Sequence, residues 1–433
     1  MIRKLSPNLQ EKEKIGYWLL GQKINLAKIF FYLLILFLPI QLGYHFWPKS
    51  AYVYGLRIDY LSPTLYLTDI IILFILFFYF PKLLRLIKKN VKKTIFIIGL
   101  LVILFTSAFF AENQFAAIYG IFKFLEFLFL GIFIANGKKN NTTFSYLLAI
   151  PIIYESLITL AQFLNQSSLN GIFYFLGERK FTGLTPGIAN ASLNGELILR
   201  PYGTFSHPNV LAGFLVLSMT ILIVQFVKQK KATKYFILGS LILGTIALFL
   251  TLSRVAIILW IVLLPFIILT KNNMNKKTIY VFFGIFIFFM FCVLNTPLLL
   301  RFTQISLIDE AFVQRQLFLK EAFDLFLKHP ILGVGLNNFI VSIPSVMKPS
   351  ELNSLQPVHN IFVLNLVETG IIGSLFFLYF LFLTIKKNYK KKIFILSIFS
   401  IFFLGFFDHY FLTLQQGQIM LTVFLGLWWG KNE

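Results

Sequence analysis

Apolar stretches of about 17–25 residues follow one another along nearly the whole chain, broken only by short polar and basic punctuation. A helix of that length crosses the roughly 30 Å hydrocarbon core of a bilayer, whereas barrel strands would alternate in polarity and be about half as long. Of the 433 residues, 58% are hydrophobic, 54 are Phe and only 13% are charged, too few polar groups to cover the surface of a soluble protein of this size. In lipid, helices satisfy their own backbone hydrogen bonds. The expected architecture is therefore all-α integral membrane: a polytopic bundle of about twelve transmembrane helices forming a single membrane domain over 1–433. The stretches read as spans are 26–44, 65–80, 94–111, 115–136, 144–164, 209–227, 234–252, 255–270, 278–295, 359–385, 391–407 and 412–430. The first carries Pro39 and no small-residue cleavage site, so it reads as an uncleaved span. Cys292 is the single cysteine, which leaves no disulfide or thiolate metal site within the chain.

The net charge of +22 has a directional pattern. With the N-terminus placed in the cytoplasm, inside segments and their span edges hold 27 of the 39 Lys and Arg residues, against 11 in the much longer outside segments and one, Lys123, within a span. This is the positive-inside asymmetry of a membrane protein, with both termini cytoplasmic, and not the footprint of a nucleic-acid binder. Six of the eight arginines (Arg57, Arg179, Arg200, Arg254, Arg301, Arg315) fall on the expected outside. Their planar forks suit phosphate and carboxylate oxygens, although interfacial anchoring accounts for any one of them equally well. The two long loops, 165–208 and 296–358, are also on that side, so function is expected there.

The loop 165–208 is rich in glycine and reads as irregular. Within 296–358, residues 311–328 form an amphipathic pattern: Phe312, Leu319, Phe323 and Phe326 share a side, and Gln314, Lys320, Glu321, Asp324 and Lys328 are polar. The pattern ends at His329-Pro330, as a helix should before proline, and suits a helix lying at the membrane interface.

Three segments could carry chemistry. In RPYGTFSHPNVLAGFL (200–215), Gly203 and Pro208 bend the chain, Asn209 can cap the next helix, and Arg200 and His207 sit near the interface. In Thr251-Leu252-Ser253-Arg254 the chain turns between two spans with almost no loop, leaving an arginine at membrane depth to snorkel or meet an anion. In the third, His359-Asn360 opens a span that continues through Glu368, Gly370 and Gly373. On a regular helix Gly370 lies about 20° from His359 around the axis and Gly373 about 40° to the other side, giving a smooth strip for close packing beneath the imidazole, with Glu368 on the far face.

These segments, in this order, resemble the O-antigen ligase and polymerase superfamily of membrane glycosyltransferases, over about 200–385. His359-Asn360, nine residues, then Gly370-Ile371-Ile372-Gly373 meets the ligase pattern. The stretch from Arg315 to Phe339, ending HPILGVGLNNF, looks like the family's loop segment preceding that histidine, and the two upstream segments look like its arginine segments. The resemblance implies a GT-C-like bundle in the cytoplasmic (inner) membrane, with its active site outside the cytoplasm. It implies transfer of a glycan from a polyprenyl diphosphate carrier, such as undecaprenyl diphosphate, to an acceptor hydroxyl on a glycolipid, glycan or protein, as in lipopolysaccharide and other cell-envelope polysaccharides. Arg200 and Arg254 match the family's arginines for the donor diphosphate, and His359 matches its essential histidine. Arg315, Arg301, His207, Asn360, Asp408 and His409 are possible substrate contacts, with His329, Gln415, Gln416 and Gln418 as further polar candidates.

Diphosphate is a good leaving group, so two guanidinium groups and one imidazole base suffice for this chemistry. Asp309-Glu310 is the one adjacent exterior carboxylate pair and no Asp-x-Asp is present, so no metal and no cofactor is expected. Polymerase and ligase differ only in acceptor, which the residues leave open, with the histidine motif tilting towards ligase. A transporter or flippase of lipid-linked oligosaccharide is the reading from another class, for which Lys123 and Glu126 form a plausible i,i+3 pair and Glu155 is buried.

Overall fold

The computed structural model describes residues 25–137, 140–193, 196–226, 229–270, 284, 287, 310–347 and 355–430. The helices are α1 (Leu26–Phe37), α2 (Leu67–Lys89), α3 (Val91–Phe110), α4 (Gln114–Asn136), α5 (Asn141–Asn165), α6 (Pro208–Phe226), α7 (Lys231–Leu250) and α8 (Arg254–Thr270). They are followed by α9 (Glu310–Lys328), the short α10 (Phe339–Ser342), α11 (Ile361–Asn388), α12 (Lys392–Phe407), the short α13 (Tyr410–Thr413) and α14 (Gln415–Trp429). Among the described residues, seven helices (α2 to α7 and α11) are long and apolar enough to cross a membrane, and α1, α8 and α12 contribute shorter apolar segments. The chain is a polytopic membrane protein. Eleven of the twelve expected stretches contain a described helix; of the other, 278–295, only residues 284 and 287 are described, and Cys292 lies outside the described residues.

Helix α6 is apolar all round and is the axis of the bundle, with 83% of its most apolar window buried. It packs against α5, α7, α8 and α12. Helix α3 lies at the periphery, with 17% of its window buried. Phe77, Phe109, Phe110 and Leu164 are 72, 70, 73 and 71% exposed, an outer surface that hydrocarbon solvates and water would not.

The loop-bearing end departs from an all-α description. Three two-stranded antiparallel sheets stand there: β1 (Gly43–His45) with β4 (Thr64–Tyr66), β2 (Tyr52–Val53) with β3 (Leu56–Arg57), and β5 (Asn190–Leu193) with β6 (Glu196–Leu199). The β2–β3 turn places both Tyr54 (φ 48°) and Gly55 (φ 79°) at positive φ, the two-residue hairpin geometry that matches strand twist. Ala51, Val53, Ile58 and Leu61 from these hairpins join Phe318, Ala322 and Leu325 of α9 and Leu364 and Val367 of α11 in a second core above the bundle.

Helix α9 ends at Lys328, where the proline rule puts it, but its buried stripe is Phe318, Glu321, Ala322 and Leu325. The predicted apolar residues Phe312, Leu319 and Phe323 point outward, and Glu321, read as an exposed polar residue, is buried. The helix has two apolar faces, one on the protein and one exposed for lipid.

Helix α11 is not continuous. Gly370 (φ 63°, ψ −171°) breaks it, so the helical phase linking His359 to Gly373 does not hold. The break removes the helical bonds from the amides of Ile371 and Ile372 to the carbonyls of Val367 and Glu368. The segment after α9 supplies all four partners. Val334 and Gly335 donate to Val367 and Glu368, both at 2.9 Å, and Ile371 and Ile372 donate to Pro330 and Ile331 at 2.8 and 3.3 Å. Non-helical backbone at membrane depth is tolerated only when it is satisfied by protein in this way. A Cβ on Gly370 would strike the Ile331 carbonyl, so the residue needs both the positive φ and the missing side chain. Gly370→Ala is expected to cost about 1–3 kcal/mol in backbone strain alone and to lower the thermal midpoint of the purified protein. An unchanged midpoint would show that the break is not fixed by this glycine.

Candidate active site

A cavity of about 2340 Å³ opens at the loop-bearing end and continues as an apolar groove between α3, α4, α11 and α14. Arg200, Arg254, Arg315, His207, His359, Asp408 and His409 all line it. The elements that deliver them are far apart in sequence. Arg200 follows β6, Arg254 is the first residue of α8 after a three-residue turn, Arg315 rides on α9, His359 precedes α11, and Asp408 and His409 link α12 to α13.

Arg200 is 9% exposed. Its Nε donates to the Thr251 carbonyl at 2.9 Å and an Nη to Asn209 Oδ1 at 2.7 Å. Asn209 Oδ1 also accepts from Ser253 Oγ at 3.1 Å, and Asn209 Nδ2 donates to Asp408 Oδ2 at 3.0 Å. One amide thus ties together the Arg200 loop, the Thr251–Arg254 turn and the Asp408–His409 link. Asn209 is the second residue of α6 and its side chain reaches outward to this network, so it does not cap the helix as the sequence suggested. The backbone amide of Asn209 instead donates to His207 Nδ1 at 3.1 Å.

The loop below Arg200 is clamped from α5. Gln162 Oε1 accepts from the amides of Tyr202 and Gly203 at 2.9 Å each, and Glu155 accepts from the Thr204 amide at 3.0 Å and from its hydroxyl at 2.6 Å. The buried Glu155 therefore serves to hold the loop.

The imidazoles form a cluster. The rings of His359 and His409 are 5.0 Å apart, and Tyr60 meets His409 at 5.5 Å. His409 Nδ1 is 2.7 Å from Thr413 Oγ1. His359 Nδ1 is buried with no hydrogen-bond partner in the protein, a polar atom left for a ligand. Burial pushes His207 down to about 3, aided by the Arg200 charge and opposed by Asp408. Burial likewise takes His409 to about 3, and lowers His359 with Asp408 opposing and Arg315 assisting. Burial would raise the Asp408 carboxyl, but His409, His359, His207 and the Asn209 amide outweigh it and hold it at about 2. At neutral pH the cluster is one carboxylate among neutral imidazoles.

His359, Asp408 and His409 offer ligand atoms within 4.8 Å of one another, a grouping that could gather a cation and that the sequence did not reveal. Of its ligand atoms, Asp408 Oδ1 accepts from the His409 amide at 2.8 Å, Oδ2 accepts from Asn209, and His409 Nδ1 meets Thr413, while His359 Nδ1 has no partner in the protein.

Not every residue expected at the site lies in it. Asn360 caps α11, accepting from Phe362 and Val363 at 2.9 and 3.0 Å, and is not among the cavity-lining residues. His329 and Gln416 do not line the cavity either, whereas Gln415 and Gln418 do. Arg301 lies outside the described residues. Lower in the cavity, Lys123 pairs with Glu126 at 3.1 Å as the spacing suggested, and also with Asp69 at 2.7 Å, whose carboxylate takes a hydrogen bond from Gln415.

The helical bundle is that of a polytopic membrane protein, and it carries an arginine- and histidine-lined chamber that opens into a largely apolar groove. Residues 238–378 match the family model described as O-antigen ligase. The family covers O-antigen ligases and polymerases, which are glycan-transferring enzymes. Curated proteins show no match to the chain.

Asn209→Asp would replace the donor to Asp408 by a second carboxylate. Mutual repulsion raises the carboxyl pKa of the pair, so protonation at low pH restores a donor. The variant is expected to lose about 1.5–3 kcal/mol at pH 8 and to recover part of it at pH 5, read as thermal midpoints. A loss independent of pH would show that the Asn209–Asp408 contact does not govern the site.

Proposed function

We propose that the chain transfers a glycan from a polyprenyl diphosphate carrier to an acceptor hydroxyl, at the extracytoplasmic mouth of a twelve-span bundle in the cytoplasmic membrane. The observation that carries this reading is the shared cavity: Arg200, Arg254 and His359, drawn from three separate segments, line one chamber. The apolar groove continuing from it offers the carrier's isoprenoid chain a path within the bilayer. The concentration of arginines at the loop-bearing end supports placing that end outside, since lysine dominates the short connections at the other.

In this mechanism Arg200 and Arg254 hold the diphosphate. The acceptor oxygen attacks the anomeric carbon as the bond from that carbon to the phosphate oxygen breaks, and the electron pair leaves with the diphosphate. Arg200 is pre-oriented by Thr251 and Asn209, so it meets the developing charge without rearranging. His359, neutral at physiological pH, takes the hydroxyl proton. Asp408, beside it, favours the imidazolium that forms. Arg315 sits within electrostatic range of both His359 and His409, where it can meet a further substrate oxygen. No step requires a metal. Ligase and polymerase chemistry share these steps and differ in the acceptor.

Reconstitution with a polyprenyl diphosphate glycan and candidate acceptors, with mass analysis of the product, tests the reading. His359→Ala should slow transfer by about 10²–10⁴-fold while inserting normally; retained transfer would remove the imidazole from the chemistry. Because its pKa is lowered, the base stays unprotonated where a free imidazole is already half charged. The acid limb of the rate profile should therefore fall below pH 6.5, and a limb above that value would assign the base elsewhere. Treatment with a chelator should leave the rate unchanged; loss restored by a divalent cation would make His359, Asp408 and His409 a metal centre.

A further inference from the structure

The rim of the cavity carries a second set of groups that the transfer chemistry does not use. On one side, the β2–β3 hairpin and its neighbours present Arg57 with its guanidinium 4.6 Å over the Trp47 ring. Trp47 in turn stacks on His45, with ring centroids 5.7 Å apart and planes inclined by 15°. Asp59 lies 3.7 Å from Arg57 Nε, too far for a hydrogen bond, and Arg57 remains 61% exposed. On the other side stands Arg179, held at 3.4 Å from the Ser206 carbonyl. Arg57, Asp59 and Arg179 all lie within electrostatic range of the same imidazole, His45, and line the same cavity. Every one of these residues lines the cavity that holds His359.

Charge and unmet hydrogen-bonding capacity together define what would fit. Arg57, Arg179 and Lys180 supply three cations to the rim. Against them stand Asp59 and Glu178, and Glu178 is consumed by the amides of Leu169 and Asn170, at 2.7 Å each, and by Gln162 at 2.8 Å. The rim is therefore cationic. It also contains two buried polar atoms with no partner in the protein, Ser206 Oγ and Asn190 Oδ1, both on cavity-lining residues of the Arg179 side. Tyr174, 64% exposed, adds a free aromatic face. A lone phosphate would answer the cations but not the hydroxyl-seeking atoms or the ring. A neutral sugar would answer the latter and leave the arginines idle.

We infer that this rim is a subsite for a carboxylate-bearing saccharide, its carboxylate bridging Arg57 and Arg179 and its hydroxyls meeting Ser206 and Asn190. A guanidinium held over an aromatic ring keeps a planar fork of donors, which suits bidentate contact with a carboxylate. Tyr60 joins the rim to the reactive centre through its contact with His409, so a sugar held here lies next to the imidazole cluster. The inference rests on reading the cavity as a glycan-handling site and narrows the glycan to an acidic one.

The test uses the full chain in lipid nanodiscs and measures binding, with no transfer step. Tetragalacturonate is compared with its carboxyl-reduced counterpart by calorimetry. The wild type should bind the uronate about tenfold more tightly or better. Arg57→Gln combined with Arg179→Gln should erase that preference and leave the thermal midpoint unchanged. Equal affinities in the wild type, or a preference that survives the double substitution, would overturn the assignment. Inorganic pyrophosphate, the headgroup chemistry, should fail to displace the uronate; one-for-one displacement would make the rim part of the phosphate site and also overturn it. A chain that prefers the uronate but transfers nothing would fail only the proposed function. A chain that transfers glycan without the preference would fail only this inference.

Discussion

The site depends on one side-chain amide. Asn209 accepts from Arg200 and Ser253 through one atom and donates to Asp408 through the other, so three stretches spread over more than two hundred residues meet at its two ends. An aspartate has the shape but not the donor, and a leucine has neither. Buried polar networks of this kind are strong only when every member is satisfied, because the low local dielectric that strengthens each bond also makes an unpaired group costly. The Arg200 side chain is consequently fixed by Asn209 of α6 and by the α7–α8 turn, while Gln162 and Glu155 of α5 hold the following backbone at Tyr202, Gly203 and Thr204.

Around that network, neutral imidazoles and an ionised carboxylate coexist because burial prevails at the histidines and is outweighed at Asp408 by the neighbouring histidines and the Asn209 amide. Desolvation disfavours charge on His207, His359 and His409, and their neutrality leaves the Asp408 carboxylate as the local anion. The arginines supply fixed positive charge at the edge of this cluster. Fixed positive charge and neutral imidazoles therefore line one chamber around a single carboxylate.

The membrane architecture was legible because a 20-residue apolar run has few other physical solutions. That Arg200, Arg254, Arg315 and His359 belong together was legible only through motif order and the family resemblance, and the four line one cavity. The hairpins over 43–66 were not, since strands of two or three residues carry too little alternation to register, although the positive-φ pair Tyr54-Gly55 was a usable turn signal. The role of Asn209 was misread because its position just after His207-Pro208 fits a helix cap, and nothing local announces a partner 199 residues away. The phase argument from His359 to Gly373 failed at Gly370, where a residue taken as a packing surface turned out to end the helical register. Glu321 was misassigned for a related reason: a helix with two apolar faces does not reveal which one the protein covers.

The break in α11 has a consequence for biogenesis. Two carbonyls and two amides of that helix find their partners in the irregular segment at 330–335. Until that segment docks, an inserted α11 would leave those four groups facing hydrocarbon, each at a cost of several kcal/mol. The span cannot therefore mature as an independent hairpin leg in the bilayer. It must be completed by the polypeptide made just before it, which ties the emergence of the helix that follows His359 to prior delivery of the α9 region at the same membrane surface.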